Sequence, residues 1–317
     1  MLEVFFCNVG DGDAILLREH RETAPDYTVL VDTGRPYVES AEGSLRKDAL
    51  DHLLQRGVEK IDRMILTHLH IDHVGGAMRI LRAIPTDRLE MLYLPPQGTR
   101  YVSRSFISVK KTVNGLKHML NVTRELTEAA EERGVKIGTV SAGKTALTEA
   151  LTVEIIPPRQ ELIERQKEVF DTLYGGGTVA EDLCYAVAKE RNNTSLMLRF
   201  TYGGRSVLLT GDRYAADWEE EDIPPCDILK LPHHGDGKSV TEALLKKLSP
   251  RYAVISCQND PEAKKERPAE TVAALLKEHV PEVFCTENRP MRAFAGSTHN
   301  GIGFWIGEDG SLVRRYE

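Results

Sequence analysis

The sequence predicts a layered α/β fold. Two observations carry that expectation. Short apolar runs bounded by Gly, Asp or Pro alternate with stretches of helical spacing along most of the chain. Several of those runs also end directly in chemically active residues. Tyr27–Val31 leads into Asp32-Thr33-Gly34, Arg63–Leu66 into a histidine cluster, Ser206–Leu209 into Thr210-Gly211-Asp212, and Asp227–Leu231 into Pro232-His233-His234-Gly235. Strands that deliver side chains from their ends, with helices between them, point to packed layers of sheet and helix.

Taken in order, Val4–Val9 reads as a first buried strand, followed by the turn Gly10-Asp11-Gly12-Asp13. Ala14–Arg18 and Tyr27–Val31 are the next strands. Leu45–Gly57 places Leu45, Leu50, Leu53 and Leu54 at helical spacing, with Gly57 as a stop. Arg63–Leu66 is a strand, Ala77–Ala83 a helix and Met91–Leu94 a strand. From about 95 to 190 the pattern changes. Helical stretches at Ser105–Arg133 and Gln160–Leu173 flank a strand-like Leu151–Ile156, and Tyr174-Gly175-Gly176-Gly177 is a break. This region reads as a mainly helical insertion within a single domain spanning 1–317. It is a candidate lid, dimer contact or docking surface for a protein partner. Alternation then returns, with Ser195–Tyr202 and Ser206–Leu209 forming a hairpin around Gly203-Gly204. Asp227–Leu231, Tyr252–Ser256 and Val283–Thr286 read as strands, and Thr241–Leu248 and Thr271–His279 as helices. Gly303–Ile306 and Leu312–Arg315 can close a sheet.

Composition narrows the function classes. The 317 residues are 41% hydrophobic and 28% charged, which suits a full core and excludes a disordered chain. A net charge of −7 argues against a DNA-coating protein, which carries a basic excess, so any nucleic-acid contact has to be local. No apolar run reaches about 18 residues, and no membrane span is expected. The segment Met1–Gly10 lacks the basic start of a secretory signal. Cys7, Cys184, Cys226, Cys257 and Cys285 are scattered, with no C-x-x-C pair, and read as reduced thiols of a cytoplasmic protein.

The chemistry concentrates in the histidines. His68, His70 and His73 fall within six residues, with Asp72 among them, and His233 and His234 are adjacent. Packing does not explain such clustering, whereas metal binding does. Residues i and i+2 share a face in extended backbone, so His68 and His70 point the same way. Asp72 and His73 then turn towards a second point, and Gly75-Gly76 let the backbone pass close to the site. Imidazole and carboxylate suit Zn2+, while oxygen ligands also admit Mn2+ or iron.

The pattern His68-x-His70-x-Asp72-His73 resembles the signature of the metallo-β-lactamase superfamily, over most of the chain outside 95–190. The resemblance implies a four-layer αββα sandwich with two divalent metal ions at one edge of the paired sheets. By the same resemblance, Asp32 orients a metal-ligating histidine, Asp212 bridges the metals, and the His233-His234-Gly235 motif supplies a further ligand, assigned to His233. Asn8-Val9-Gly10-Asp11-Gly12-Asp13-Ala14, Val31-Asp32-Thr33-Gly34, Asn192-Asn193-Thr194-Ser195-Leu196, Leu208-Leu209-Thr210-Gly211-Asp212 and Leu231-Pro232-His233-His234-Gly235 occur in order. Together they look like the hydrolase domain of bacterial DNA-uptake (competence) channel proteins and their stand-alone relatives. Three positions depart from that pattern. Asn192-Asn193 stands where many members have a His, which makes Asn193 a candidate ligand. Asp236 replaces a Ser after His-His-Gly, and Asn259 to Pro268 holds no His before its Pro.

Two close divalent ions acidify a shared water and neutralise developing charge, so a metal-bridged hydroxide is the expected nucleophile. The favoured substrate is a phosphodiester of DNA, RNA or a nucleotide. The alternatives are another ester or amide (a phosphorylcholine ester, a lactam, a peptide) and a non-enzymatic binding protein supported by metal. Asp72 is a candidate proton acceptor, and His234 a candidate for protonating a leaving group. Lys238, Ser239 and Arg35 are candidate phosphate contacts, Ser239 also as a helix N-cap. The basic run Arg104, Lys110, Lys111 and Lys117 is a candidate patch for a nucleic-acid backbone. His20, His52, His118 and His279 read as structural, and Thr298-His299-Asn300-Gly301 reads as a turn, with His299 a candidate for a late approach to the site.

Overall fold

Nearly continuous burial marks the first strands as sheet interior. β1 (Leu2–Cys7), β2 (Ile15–Glu19) and β3 (Tyr27–Val31) are antiparallel neighbours whose residues are almost all buried, so both faces are covered. The computed structural model describes residues 1–102, 111–259, 267–291 and 293–317. After α1 (Ala49–Gln55), β4 (Arg63–Leu66) pairs parallel to β3. The short α2 (Ile71–Val74) and α3 (Ala77–Ala83) lead to β5 (Arg88–Met91), parallel to β4. The strand expected at Met91–Leu94 therefore lies three residues earlier. Its signal was weak because β5 carries Glu90, buried and 3.2 Å from Arg63 of the neighbouring strand.

The 95–190 region holds α4 (Lys111–Glu132), α5 (Gln160–Tyr174) and α6 (Glu181–Glu190). It also holds β6 (Lys136–Thr139), β7 (Gly143–Ala146) and β8 (Thr152–Ile156). The expected insertion is thus woven into both sheets, with β6 at the edge of one and β7 and β8 at the edge of the other. β6 and β7 escape an apolar-run reading because they are exposed edge strands built around Lys, Thr and Gly. Of the helix expected from Ser105, the part before Lys111 lies outside the described residues, as do Arg104 and Lys110 of the basic run.

β9 (Met197–Tyr202) and β10 (Arg205–Leu209) form the expected hairpin, with Gly203 and Gly204 both at positive φ, as a tight turn of this hand requires. β11 (Ile228–Lys230), β12 (Tyr252–Ile255) and β13 (Glu282–Cys285) add parallel strands, connected by α7 (Glu242–Leu248) and α8 (Glu270–His279). Thr241, not Ser239, caps α7, its hydroxyl accepting from the Leu244 amide. β14 (Gly301–Ile306) returns to pair with β1, and β15 (Leu312–Tyr316) pairs with β14 at the sheet edge.

The two sheets run β15-β14-β1-β2-β3-β4-β5-β6 and β13-β12-β11-β10-β9-β8-β7. Leu2, Val4, Phe6 and Val31 of the first face Leu198, Phe200, Val207 and Val254 of the second in one core. The outer face of the first sheet packs on α1, α3, α4, α5 and α6, and that of the second on α7 and α8. The result is the four-layer αββα sandwich. Among the described residues no helix is long and apolar enough to cross a membrane.

Candidate metal centre

The C-terminal ends of β3, β4, β10 and β11 deliver their side chains to one edge of the sandwich. Asp32 follows β3, His68 and His70 follow β4, Asp212 follows β10, and His234 follows β11. Three loops interlock there. The Asp13 amide donates to the Asp72 carbonyl at 3.2 Å, and the Thr33 amide to the His73 carbonyl at 2.6 Å. Such close approach excludes side chains. A Cβ on Gly12 would lie 2.5 Å from the Asp72 carbonyl oxygen, and one on Gly76 2.2 Å from that of Thr33.

Two groups of ligand atoms, each within 4.8 Å of one another, result: His68 with His70 and Asp212, and Asp72 with His73 and His234. Asp212 lies between them, one carboxylate oxygen being 3.8 Å from His68 Nε2, 3.3 Å from His73 Nε2 and 3.7 Å from His234 Nε2. The second nitrogen of each ring fixes its orientation. His73 Nδ1 donates to Asp32 at 2.7 Å, and His234 Nδ1 to the Ser256 carbonyl at 2.9 Å. Thr67 Oγ1 donates to Asp32 at 2.7 Å and therefore accepts from His68 Nδ1 at 3.1 Å. All three rings thus turn Nε2 inward, as metal-ligating histidines held by outer partners do.

These residues fit divalent ions. Asp212 Oδ1, His73 Nε2 and His234 Nε2 are buried without a hydrogen-bond partner among the described residues, a state that ordinary packing avoids. Burial opposes charge on His73, but Asp212 and Asp32 outweigh it and raise its pKa well above the usual range. Burial would raise the carboxyls of Asp72 and Asp212, but the neighbouring histidines hold both well below it. The site calls for positive charge at its centre.

Elsewhere the placement differs from expectation. His233, expected as the ligand, lies outside both groups, and His234 stands in its place. Both residues adopt left-handed backbone, φ 47° and 55°, which turns one ring inward and the other towards Asn192 and Arg267. Asn193 is also outside, its side-chain oxygen accepting from the Tyr214 amide at 3.3 Å. Arg35 is paired with Asp11 at 2.6 and 2.7 Å, so it is engaged rather than open to substrate. Lys238 is exposed beside the Tyr214 ring, and Ser239 is fully buried. His299 Nε2 donates to the Cys285 carbonyl at 3.0 Å, and the residue lies outside the metal-capable groups.

The sequence reading missed three residues. Asp13 forms a further group with His73 and Asp212, and is ion-paired with Lys230, both fully buried. Arg191, also buried, donates to the carbonyls of Leu69 and Ala188 and props the His68–His73 loop. A lysine at the end of an otherwise apolar strand was the available signal for Lys230.

A family model described as the Metallo-beta-lactamase superfamily matches residues 7–258. ComE operon protein 3 of Bacillus subtilis (strain 168) is 26% identical over 298 residues, covering 90% of this chain and 32% of its own length. Recombination protein 2 of Haemophilus influenzae is 24% identical over 251 residues, covering 78% of this chain and 23% of its own. The chain thus spans a third or less of these relatives. Among solved structures, the metallo-beta-lactamase fold protein YhfI from Bacillus subtilis matches with a TM-score of 0.48 and 13% identity, over 90% of this chain and 97% of its own. With a family model running from β1 to the end of β12, the chain belongs to the metallo-β-lactamase superfamily of metal-dependent hydrolases.

Proposed function

We infer that the protein is a phosphodiesterase that uses two divalent ions, zinc or manganese, on DNA, RNA or a nucleotide. The observation that carries this reading is the meeting of two His/Asp groups at one carboxylate, Asp212. His68, His70 and Asp212 would hold one ion, and Asp72, His73 and His234, with Asp212, the other. When bound, such a pair acidifies water and neutralises charge on a reacting phosphoryl group.

Charge balance favours an anionic substrate. Asp13, Asp32, Asp72 and Asp212 face Lys230 and Arg191, which leaves two negative charges when the imidazoles are neutral. Two divalent ions turn that surplus into two positive charges, suited to a phosphodiester and not to a neutral amide. The protein's residues do the positioning. Asp32 and the Ser256 carbonyl hold the rings, and Arg191 holds the loop. Asp72, kept ionised, is the candidate proton acceptor. The resemblance of the five motifs to the DNA-uptake hydrolase domain supports the same substrate class.

The test is elemental analysis of the purified protein, combined with cleavage assays on single- and double-stranded DNA, RNA and a cyclic dinucleotide. Two ions per chain, and cleavage abolished by Asp212→Ala together with loss of metal, is the expected result. Full cleavage by Asp212→Ala would overturn the two-ion reading. Two ions without cleavage of any phosphodiester would overturn the substrate class.

A further inference from the structure

The two ion positions of the centre differ in their residues, and the differences all favour the same one. Ligand charge comes first. Asp72, His73 and His234 bring a second carboxylate to the shared Asp212, whereas His68 and His70 bring two neutral rings. Asn193, the further ligand expected on their side, accepts from the Tyr214 amide instead. The shared carboxylate also leans one way, its oxygen lying 3.3 Å from His73 Nε2 and 3.8 Å from His68 Nε2. The groups behind the rings differ in the same sense. His73 Nδ1 donates to the Asp32 carboxylate at 2.7 Å, and His68 Nδ1 to the Thr67 hydroxyl at 3.1 Å. A carboxylate makes the ring the more basic ligand, and outer partners of this kind are worth about 10–100-fold in metal affinity. The buried cations do not reverse this order. Lys230 offsets Asp13, a further carboxylate behind His73 and His234, and Arg191 donates to the carbonyl of Leu69, between His68 and His70.

The rings also differ in how ready they are. His68 Nε2 and His70 Nδ1 lie 2.9 Å apart, hydrogen-bonded to each other. His68 Nδ1 carries the proton given to Thr67, so its Nε2 accepts, and the proton of the bond between the rings belongs to His70. Holding an ion there breaks this bond, and His70 gives up its proton or turns its half-buried ring. His73 and His234 keep their outer partners and already aim Nε2 at Asp212, at 3.3 and 3.7 Å. Burial opposes charge on His73, and the carboxylates of Asp212 and Asp32, which outweigh it and hold a proton there, act equally on an ion that displaces that proton.

We propose that the centre fills in order. The position of Asp72, His73 and His234 takes its ion first and holds it at least about tenfold more tightly, and the position of His68 and His70 exchanges its ion with the surroundings. The proposal rests on the two-ion phosphodiesterase reading and adds a control to it. Hydrolysis follows the supply of divalent metal through the second equivalent, while the first stays with the chain.

Calorimetric titration of zinc into the full chain, stripped beforehand with a chelator, tests the order. Two resolved equivalents, at least about tenfold apart in affinity, are expected. His70→Ala should keep the tighter equivalent within about twofold and weaken or remove the looser, whereas Asp32→Asn should weaken the tighter one by about 10–100-fold. Urea unfolding in chelator shows whether each variant folds before metal is added, and His234→Ala takes the place of Asp32→Asn if that variant does not. Equal affinities in the wild type, or loss of the tighter equivalent in His70→Ala, would overturn the order. Cleavage at one and at two equivalents of zinc tests the control. The half-loaded chain should keep about a tenth of the rate or less, since the paired ions act together, and the full rate at one equivalent would overturn the control. Ordered filling in a chain that cleaves no phosphodiester would uphold the order and overturn the reaction. Equal filling in a chain that cleaves them would do the reverse.

Discussion

Lys230→Met tests the charge balance of the centre most directly. Lys230 is completely buried at the end of β11, its ammonium paired with Asp13 and donating to the Gly211 carbonyl at 3.2 Å. Methionine keeps most of the side chain's length and removes only the charge. Asp13 would then remain as a buried carboxylate beside Asp212, its nearest other cationic candidates being His73 and His234 at 3.8 and 3.9 Å. Removing one partner of a buried pair costs about 3–5 kcal/mol, because the other charge is left uncompensated. Urea unfolding in the presence of a chelator measures this without interference from metal. Asp13→Asn should be destabilising for the reciprocal reason. The double variant should cost less than the sum of the two by up to about 3 kcal/mol, since the second change removes the charge the first had stranded. Zinc should restore part of the stability of Lys230→Met, because Asp13, His73 and Asp212 form a group able to hold a cation. A loss below about 1 kcal/mol, or strict additivity in the double variant, would refute the reasoning.

Three further outcomes are expected. His234→Ala should lower the metal content per chain, whereas His233→Ala should leave it unchanged; the opposite pattern by elemental analysis would restore His233 as the ligand. Burial pushes His52 down to about 4, against the opposing effect of its bond to the Asn8 carbonyl. The unfolded chain therefore binds more protons than the folded one between about pH 4 and 6.5, and the stability present above pH 6.5 falls by about 3 kcal/mol as pH drops through that window. Urea unfolding at several pH values, compared with His52→Gln, isolates this slope, and identical slopes would refute it. Thr241→Ala should cost α7 about 1 kcal/mol and leave metal content unchanged, as read by thermal melting and elemental analysis.

What was legible in the sequence depended on which residues a strand or helix needs to bury. β3 and β4 and the helices α3 and α7 came out at or near their observed limits because their apolar runs end in Gly, Asp or Thr. β5 was displaced because Glu90 sits inside the sheet with an ion pair as its solvent. β6 and β7 were invisible because an edge strand has few apolar demands to meet, and α6 because its start at Glu181 carries no capping side chain. With those strands unseen, a segment that contributes to both sheets looked like an addition to the fold.

The same distinction runs through the site. The His68–His73 cluster and Asp212 are local in sequence and leave a local mark. The choice between His233 and His234 is not local, because it depends on two consecutive left-handed residues that no side-chain pattern requires. Non-glycine residues in that region cost about 1–2 kcal/mol each, and Asp32 (φ 55°) shares the strain at the other side of the centre. Strained backbone of this kind persists where surrounding contacts hold it, and here each residue is held by what the site requires. Asp32 anchors Thr67 and His73, His234 is tied to Ser256, and His233 is tied to Asn192 and Arg267. The pair His233-His234 therefore points two ways from one strained turn, one ring facing the metal-capable groups and the other facing Asn192 and Arg267. A turn with ordinary backbone would send consecutive side chains elsewhere and lose the inward placement of His234. The strain is in that sense what places His234 beside Asp72, His73 and Asp212.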